Sequence, residues 1–387
     1  MSSIDLIVGP IHPALHEPER FVFKIDGEIV VDVEPRLGYV HRGIEKALSE
    51  RTYIKDIYLV ERVCGICNVA HTLTAAQAIE QAFGVEVPRR SKYLRTIVHE
   101  LNRLHSHLLI LGVVCELIGF DTLFMLFWRD REVIMDLIEM ITGNRVMSAY
   151  NIIGGVRRNI GDFEVTQIKG VLSSLAKRVK QYKKVFMDDP TIRARCAGVG
   201  YLSRAKALAL GAVGPTARGS GLELDVRVDE PYAAYDEVKY CAVIYNDGDV
   251  WARLMVRLDE LLASMEVINE CLDKMPSGPI RVPVPEAAPQ SAEGVSVIEA
   301  PRGELIHHVY TKRDDDKPFR YRIRTPTYAN IPAVCEMLKG CYIADIPAIL
   351  ASIDPCFSCT DRAALIDTNS GEKRIIDILS LARRSKK

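Results

Sequence analysis

A chain of 387 residues, 48% hydrophobic and 26% charged, is long enough for a substantial core in one large domain or two closely joined ones, and its composition excludes a disordered chain. A formal charge of -1 excludes a global field directed at nucleic acid or anionic lipid. Ten unevenly spaced cysteines do not make a secreted disulfide scaffold, and residues 1–20 lack a basic start followed by an apolar run, so a reducing, cytoplasmic compartment is expected.

The first 40 residues are rich in short apolar stretches and turns. FVFKI and EIVVDV flank Asp26-Gly27, a dipeptide that tolerates left-handed turn geometry and so predicts a hairpin. From Arg42 the apolar spacing becomes helical, through RGIEKALSERTYIKDIYLVERV and again through NVAHTLTAAQAIEQAFG. Pro88 permits a new start, and long helices are predicted over 90–118, 122–151, 163–188 and 249–275. The most membrane-like stretch, 107–128, is interrupted by Glu116 and Asp121 before it reaches the roughly 20 apolar residues of a span. Buried helix is expected there, with no transmembrane segment, and any membrane attachment runs through a partner.

Glycines and Pro215 punctuate 195–235, which predicts irregular backbone passing close to other elements. PSGPIRVPVPEAAP, 276–289, reads as a rigid extended connection. ELIHHVYTK and KPFRYRIRT read as two paired strands around RDDD, and a last helix is predicted near 332–340. The sum is an α+β fold, predominantly helical, with a central bundle of long helices and small peripheral β elements. One domain is expected over 1–387. Within it lie a β-rich segment (1–40), a mainly helical core (42–275), a part holding the connection, the later β elements and a metal motif (276–362), and a tail (363–387).

RVCGIC holds Cys64 and Cys67, and DPCFSC holds Cys356 and Cys359. Two residues between cysteines let both sulfurs face one centre, and two such pairs can enclose metal with four thiolates. By spacing alone, structural zinc or iron fits as well as a reaction centre. The separation favours the latter, because a local zinc knuckle staples neighbouring loops whereas these pairs join the two ends of the chain. The other cysteines, at 115, 196, 241, 271, 335 and 341, read as ordinary buried thiols.

RVCGICNVAH and DPCFSCTDR resemble the paired signatures of nickel-iron hydrogenase large subunits. GPIHPALHEPERFVFKIDGE, LGYVHRGIEK, GGVRRNIGDF and GPTARGSGLELDVRVDEPYAAY resemble the energy-converting, membrane-associated branch, which is related to the quinone-site subunit of respiratory complex I. That relative characteristically lacks the full cysteine set. The resemblance implies the nickel-iron hydrogenase large-subunit fold, with Cys64 and Cys356 as terminal nickel ligands and Cys67 and Cys359 bridging nickel and iron. It also implies cyanide and carbon monoxide on the iron. His71, four residues beyond Cys67, returns to the same helical face and could donate to a bridging sulfur; otherwise it is a capping or packed histidine. Arg302 in EAPRGELIHH resembles the arginine set over the iron, and Asp354 the acid that fixes it; without the resemblance they read as a surface or salt-bridge arginine and an ordinary turn aspartate. Glu17 in HEPERF matches an acidic position suited to relay a proton from a nickel-bound thiol, with Cys356 as terminal base or Arg302 as part of the base system; otherwise Glu17 is an exposed acid beside Pro18. His12, His16 and His41 could extend that route, whereas His99, His105 and His107 read as polar members of a long helix or interface residues.

The implied activity is reversible interconversion of dihydrogen with protons and electrons. No iron-sulfur cluster is expected within this chain. Electrons are expected to pass through a small subunit carrying a 4Fe-4S cluster, with ferredoxin reached indirectly. Further iron-sulfur and antiporter-like membrane subunits would complete a complex on the cytoplasmic face of the membrane, where this chain is peripheral. The alternatives are a related sulfur- or quinone-reducing subunit, or a structural subunit with four-cysteine zinc. Relatives can carry an additional magnesium or iron, for which Glu45 is a candidate contributor, though a surface ion pair fits it equally. In some relatives the residues after the position of Arg362 are removed, and this tail of six basic and three acidic side chains could be processed or retained.

Overall fold

The computed structural model describes residues 4–15, 17–360, 365–366 and 373–374. Strands β1 (Ile4–Val8), β2 (Arg20–Asp26) and β3 (Ile29–Arg36) form an antiparallel sheet in that order. The Asp26-Gly27 turn joins β2 to β3 as the sequence predicts, with Gly27 at φ 60°. A bulge after Lys24 shifts the register, so that Val30 and Val33 both face inward with Phe21 and Phe23.

The helical spacing after Arg42 resolves into α1 (Ile44–Leu48) and α2 (Tyr53–Glu61). Helices α3 (Asn68–Phe83) and α4 (Arg89–Leu117) follow, close to their predicted bounds. α4 is buried around most of its circumference and packs against α3, α5 (Asp121–Thr142) and α11 (Val250–Lys274), making it the axis of the helical body. The apolar run 107–128 is split between α4 and α5 by Gly119 at φ 83°, and no helix among the described residues is long and apolar enough to cross a membrane. α5 stops nine residues short of the predicted 151, because Gly143 takes a left-handed φ of 88°. A small hairpin, β4 (Asn151–Ile152) and β5 (Gly155–Val156), occupies the remainder.

α6 (Asp162–Asp188) begins where the Gly161 N–H donates to Glu164 Oε2 at 3.0 Å. The glycine-punctuated segment contains short helices the sequence did not suggest: the last turn of α7 (Pro190–Cys196), then α8 (Arg204–Ala209), α9 (Gly214–Arg218) and α10 (Val226–Asp229). α11 is capped by Asp249, whose side chain accepts from the Ala252 N–H at 2.8 Å. The extended connection is tied to β4 and β5 by backbone bonds from Val156 to Ile280 and from Val282 to Gly154.

Strands β6 (Glu293–Ala300), β7 (Gly303–Tyr310) and β8 (Arg320–Arg324) form a second antiparallel sheet. The β7–β8 pair was predicted; β6 was not. Its inward positions begin with Gly294 and Ser296, which carry no apolar signal, while Val295 faces out. Gly294 permits the sheet to press on α3: a Cβ there would lie 1.9 Å from the Ala78 carbonyl oxygen. α12 (Pro326–Leu338) starts six residues before the predicted 332, because Pro326, not Pro332, occupies the first turn. α13 (Ile346–Ser352), also unpredicted, delivers the chain to the second cysteine pair. Leu365–Ile366 and Lys373–Arg374 pair as β9 and β10; Arg362 and the rest of the tail lie outside the described residues.

Candidate metal centre

Cys64 lies in the tight connection between α2 and α3, and Cys67 stands at the N-cap of α3. Its loop folds onto the first sulfur, with the Ile66 and Cys67 N–H groups directed at Cys64 Sγ at 3.4 and 3.3 Å. Cys356 caps and Cys359 ends a single 3-10 turn entered through Asp354, which takes a positive φ of 55°. Thr327 Oγ1 accepts from the Cys356 N–H at 3.1 Å, and Thr325 Oγ1 donates to the Cys359 carbonyl at 2.7 Å. The guanidinium of Arg42 joins the two loops, donating to the carbonyls of Arg62, Val63 and Ser358 at 2.8 to 2.9 Å.

These loops bring all four sulfurs into one buried cluster. Cys356 Sγ is 3.2 Å from Cys64 Sγ and 3.0 Å from Cys359 Sγ, and no disulfide forms. Cys64, Cys356 and Cys359 make one compact group of metal-ligand atoms, and Cys67, His71 and Cys359 make another, each within 4.8 Å. Contacts from Cys356, Cys359 and Cys67 push the Cys64 thiol well below its usual range, with Arg302 adding to the effect. Cys356, Cys64 and Cys67 push Cys359 well above. One thiolate is thus favoured and its neighbours resist ionisation. A soft cation among them removes that conflict, so the donor set fits a thiolate-bound metal centre.

Arg302 sits in the turn between β6 and β7, 2% exposed. Its Nε donates to the Asp354 carbonyl at 2.7 Å and one terminal nitrogen to Asp354 Oδ1 at 2.8 Å; another reaches Ser106 Oγ at 3.5 Å. Burial opposes its charge, but Asp354 and the neighbouring sulfurs outweigh burial and hold it protonated. The backbone of this turn is braced by Gly214, at φ 64°, where a Cβ would lie 2.4 Å from the Arg302 carbonyl oxygen.

His71 is fully buried, with Nε2 3.8 Å from Cys359 Sγ and Nδ1 3.1 Å from His307 Nε2. Burial pushes its pKa down to about 4, so it is neutral at pH 7. Glu17 meets the cluster at Cys356 and Ser358. Its Oε2 accepts from the Ser358 N–H at 2.8 Å and its Oε1 from the Ser358 hydroxyl at 2.5 Å, with Cys356 Sγ directed at Oε1 from 3.9 Å.

The other histidine expectations fare differently. His12 Nδ1 accepts from the Ala14 N–H within its own loop, His41 closes a turn onto the Gly38 carbonyl, and His16 lies outside the described residues. His99, His105 and His107 are all buried rather than at an interface. His99 and His107 share one polar side of α4 with Arg95 and Arg103, where His107 contacts Glu260 at 2.7 Å, whereas His105 faces the Ile66 carbonyl and Arg131. Glu45 accepts from Arg322 at 2.5 Å and from the Ile323 N–H at 2.9 Å and belongs to neither compact ligand group, which matches the ion-pair reading. Of the other cysteines, Cys115, Cys196 and Cys271 are buried as expected, Cys335 and Cys341 are half-buried, and Cys241 is exposed, correcting its assignment as a core thiol.

Sequence reasoning missed Arg42, Ser106, His307 and Tyr321. A signal existed for two of them: His307 falls in the inward phase of its strand with Leu305 and Val309, and Tyr321 in that of its strand with Ile323. Ser106 and Arg42 carried none.

Residues 42–116 match the nickel-dependent hydrogenase family, and residues 118–296 and 285–362 match the family of the respiratory-chain NADH dehydrogenase 49 Kd subunit. The chain is 41% identical to the membrane-bound hydrogenase subunit alpha of Pyrococcus furiosus, over 97% of this chain and 91% of that one. It is also 41% identical to the carbon monoxide-induced hydrogenase of Rhodospirillum rubrum, over 94% of this chain and 100% of that one. Among solved structures, a chain of the membrane-bound sulfane sulfur reductase, an archaeal respiratory membrane complex, is similar at 32% identity and a TM-score of 0.88, covering 93% of this chain and 98% of that chain. The chain therefore belongs to the nickel-iron hydrogenase large-subunit family, in the branch it shares with the 49 Kd subunit of the respiratory-chain NADH dehydrogenase.

Proposed function

We propose that this chain is the catalytic subunit of an energy-converting nickel-iron hydrogenase, reversibly converting two protons and two electrons to dihydrogen. The observation that carries this reading is the convergence of four thiols from both ends of the chain beside a buried, protonated arginine. Cys64 and Cys356 would hold nickel, while Cys67 and Cys359 would bridge nickel to an iron bearing cyanide and carbon monoxide. When bound, that centre supplies the two-electron chemistry of dihydrogen.

The chain's own groups manage charge and protons. Arg302 is fixed by its two bonds to Asp354, which turns a flexible cation into a fixed positive field beside the sulfurs. The Cys356 thiol points at Glu17 Oε1, so a proton on that sulfur has a carboxylate acceptor. Ser358 holds the acceptor in place through its N–H and hydroxyl. Apolar packing by Phe21, Phe357 and Ile353 around the second cysteine loop keeps bulk water away.

Electrons would leave through a small partner subunit with a 4Fe-4S cluster, and onward to ferredoxin. Antiporter-like membrane subunits would couple turnover to ion movement, with this chain peripheral on the cytoplasmic face. The likeness to a sulfane sulfur reductase chain supports a second reading, reduction of a sulfur substrate at the same cluster. Metal analysis joined to infrared spectroscopy tests both. Nickel and iron near one each, with bands of bound carbon monoxide and cyanide and dihydrogen evolution, is the expected result. Stoichiometric zinc without those bands would sink the proposal, and sulfide release without dihydrogen turnover would favour the second reading.

A further inference from the structure

The contact between His71 and His307 continues beyond the cluster. His307 Nδ1 is 2.8 Å from the Tyr321 hydroxyl, so one line of contacts runs from Cys359 Sγ through His71 and His307 to Tyr321. All three side chains are buried. They come from three elements: His71 from α3, His307 from β7 and Tyr321 from β8. In the antiparallel register Tyr321 lies opposite Val309 and Ile323 opposite His307, so alternation places His307 and Tyr321 diagonally on the face turned toward α3.

The direction of every bond in this line is determined from its ends. A metal-bound thiolate can only accept, so the His71 proton must lie on Nε2. Its Nδ1 is then bare and must accept, which puts the His307 proton on Nε2. The remaining bare nitrogen, His307 Nδ1, accepts from the one group that faces it, the Tyr321 hydroxyl. Both rings are completely buried, which disfavours a second proton on either. Tyr321 is pushed well above the usual phenol range by burial, with Asp56 adding to it, so it stays a donor. Asp56 is itself pushed up to about 8 by burial and is mostly neutral at pH 7.

We propose that His307 is a positioning residue of the metal centre: with Tyr321 it holds His71 in the one tautomer that donates an N–H to Cys359. Such a donor withdraws electron density from the sulfur and so from the metals it serves. Without His307, the bare His71 Nδ1 has no partner in the core, the ring is free to take the other tautomer, and Cys359 loses its donor. This rests on the thiolate metal reading, and deepens it by naming the groups that tune one sulfur.

Three variants separate the outcomes: His307→Leu removes the line, Tyr321→Phe removes the donor that biases His307, and His307→Gln can accept from Tyr321 and donate to His71. In the full chain with zinc filling the sulfur site, nitrogen-15 spectra of labelled histidine should show His71 protonated at Nε2 in the wild type and in His307→Gln. His307→Leu and Tyr321→Phe should show tautomer mixing. In the complex carrying its native metals, the carbon monoxide band should move to lower frequency in His307→Leu and return in His307→Gln. An unchanged His71 tautomer in both His307→Leu and Tyr321→Phe overturns the proposal, as does an unmoved band in His307→Leu. Failure of the nickel-iron reading shows separately, as native zinc and missing bands, while the tautomer measurement still decides the role of His307. Should His307→Leu not fold, Tyr321→Phe against His307→Gln carries the same test.

Discussion

Replacing Glu17 with glutamine isolates the proton step from the assembly of the site. The carboxylate accepts two bonds from Ser358, at its backbone N–H and at its hydroxyl. The amide retains one carbonyl oxygen for the backbone N–H, and its NH2 can donate to Ser358 Oγ once that hydroxyl turns. The loop then loses at most one ordinary hydrogen bond, about 0.5–1.5 kcal/mol, too little to unseat the cysteine turn. What disappears is the acceptor that Cys356 Sγ faces at 3.9 Å. A positioned acid-base group contributes about 10²–10⁴ in rate, which is roughly 2.7–5.4 kcal/mol of barrier. Glu17→Gln should therefore retain nickel and iron while dihydrogen/deuterium exchange falls by about that factor. The assay is exchange per nickel, measured on variant and wild type purified together with their partners. Full metal content with unchanged exchange refutes Glu17 as the route out.

Arg302→Lys keeps the charge but cannot make both bonds to Asp354, and dihydrogen evolution per nickel should fall by about 10²–10³, as for loss of one fixed donor. Unchanged turnover would show that charge alone suffices. Glu80 pairs with Arg95 through two bonds of 2.6 and 2.9 Å and accepts the Gly154 N–H at 2.7 Å, all in the core. Glu80→Ala strands a buried cation and should lower the urea unfolding free energy by about 3–5 kcal/mol, with a loss under 1 kcal/mol counting against it. Asp56 binds a proton in the folded state up to about pH 8 against an ordinary value of 3.8, so folding takes up a proton between those limits and stability falls as pH rises through that window. Asp56→Asn should flatten this slope and raise the melting temperature more at pH 8 than at pH 5; equal shifts at both would reject it.

The parts of the fold legible in the sequence were those whose signal is local. Helices α3, α4, α6 and α11 announce themselves by apolar period, and Asp26-Gly27 by turn chemistry. The strand β6 was hidden because its inward face opens with glycine and serine, a choice dictated by the approach of α3. The overlong reading of α5 ran past Gly143, whose left-handed φ outweighs the helical spacing around it. At the site, the cysteines were visible as pairs, and the family resemblance singled out Glu17, His71, Arg302 and Asp354, which the fold gathers around them. Arg42 was invisible because it binds three carbonyls, a role that depends on where backbone passes and leaves no mark in residue type. His307 was half visible: strand phase separates it from His308, but only the tertiary approach of α3 gives that phase meaning.

The meeting of Cys64 and Cys356 has a consequence for the order in which the molecule comes together. These residues are 292 positions apart, and Arg42 spans 316 to Ser358. Closing so long a loop carries an entropic cost of about 5 kcal/mol by the logarithmic law, whereas the contacts among α3, α4 and α5 join neighbours in sequence. The helical body can therefore form on the ribosome before the final cysteine pair has been synthesised. A metal held by the four sulfurs, as proposed above, would then reach a nearly finished protein and clasp Cys64 and Cys67 to Cys356 and Cys359. Because such a metal would bind only the closed form with all four sulfurs, its affinity would add directly to the stability of the folded chain.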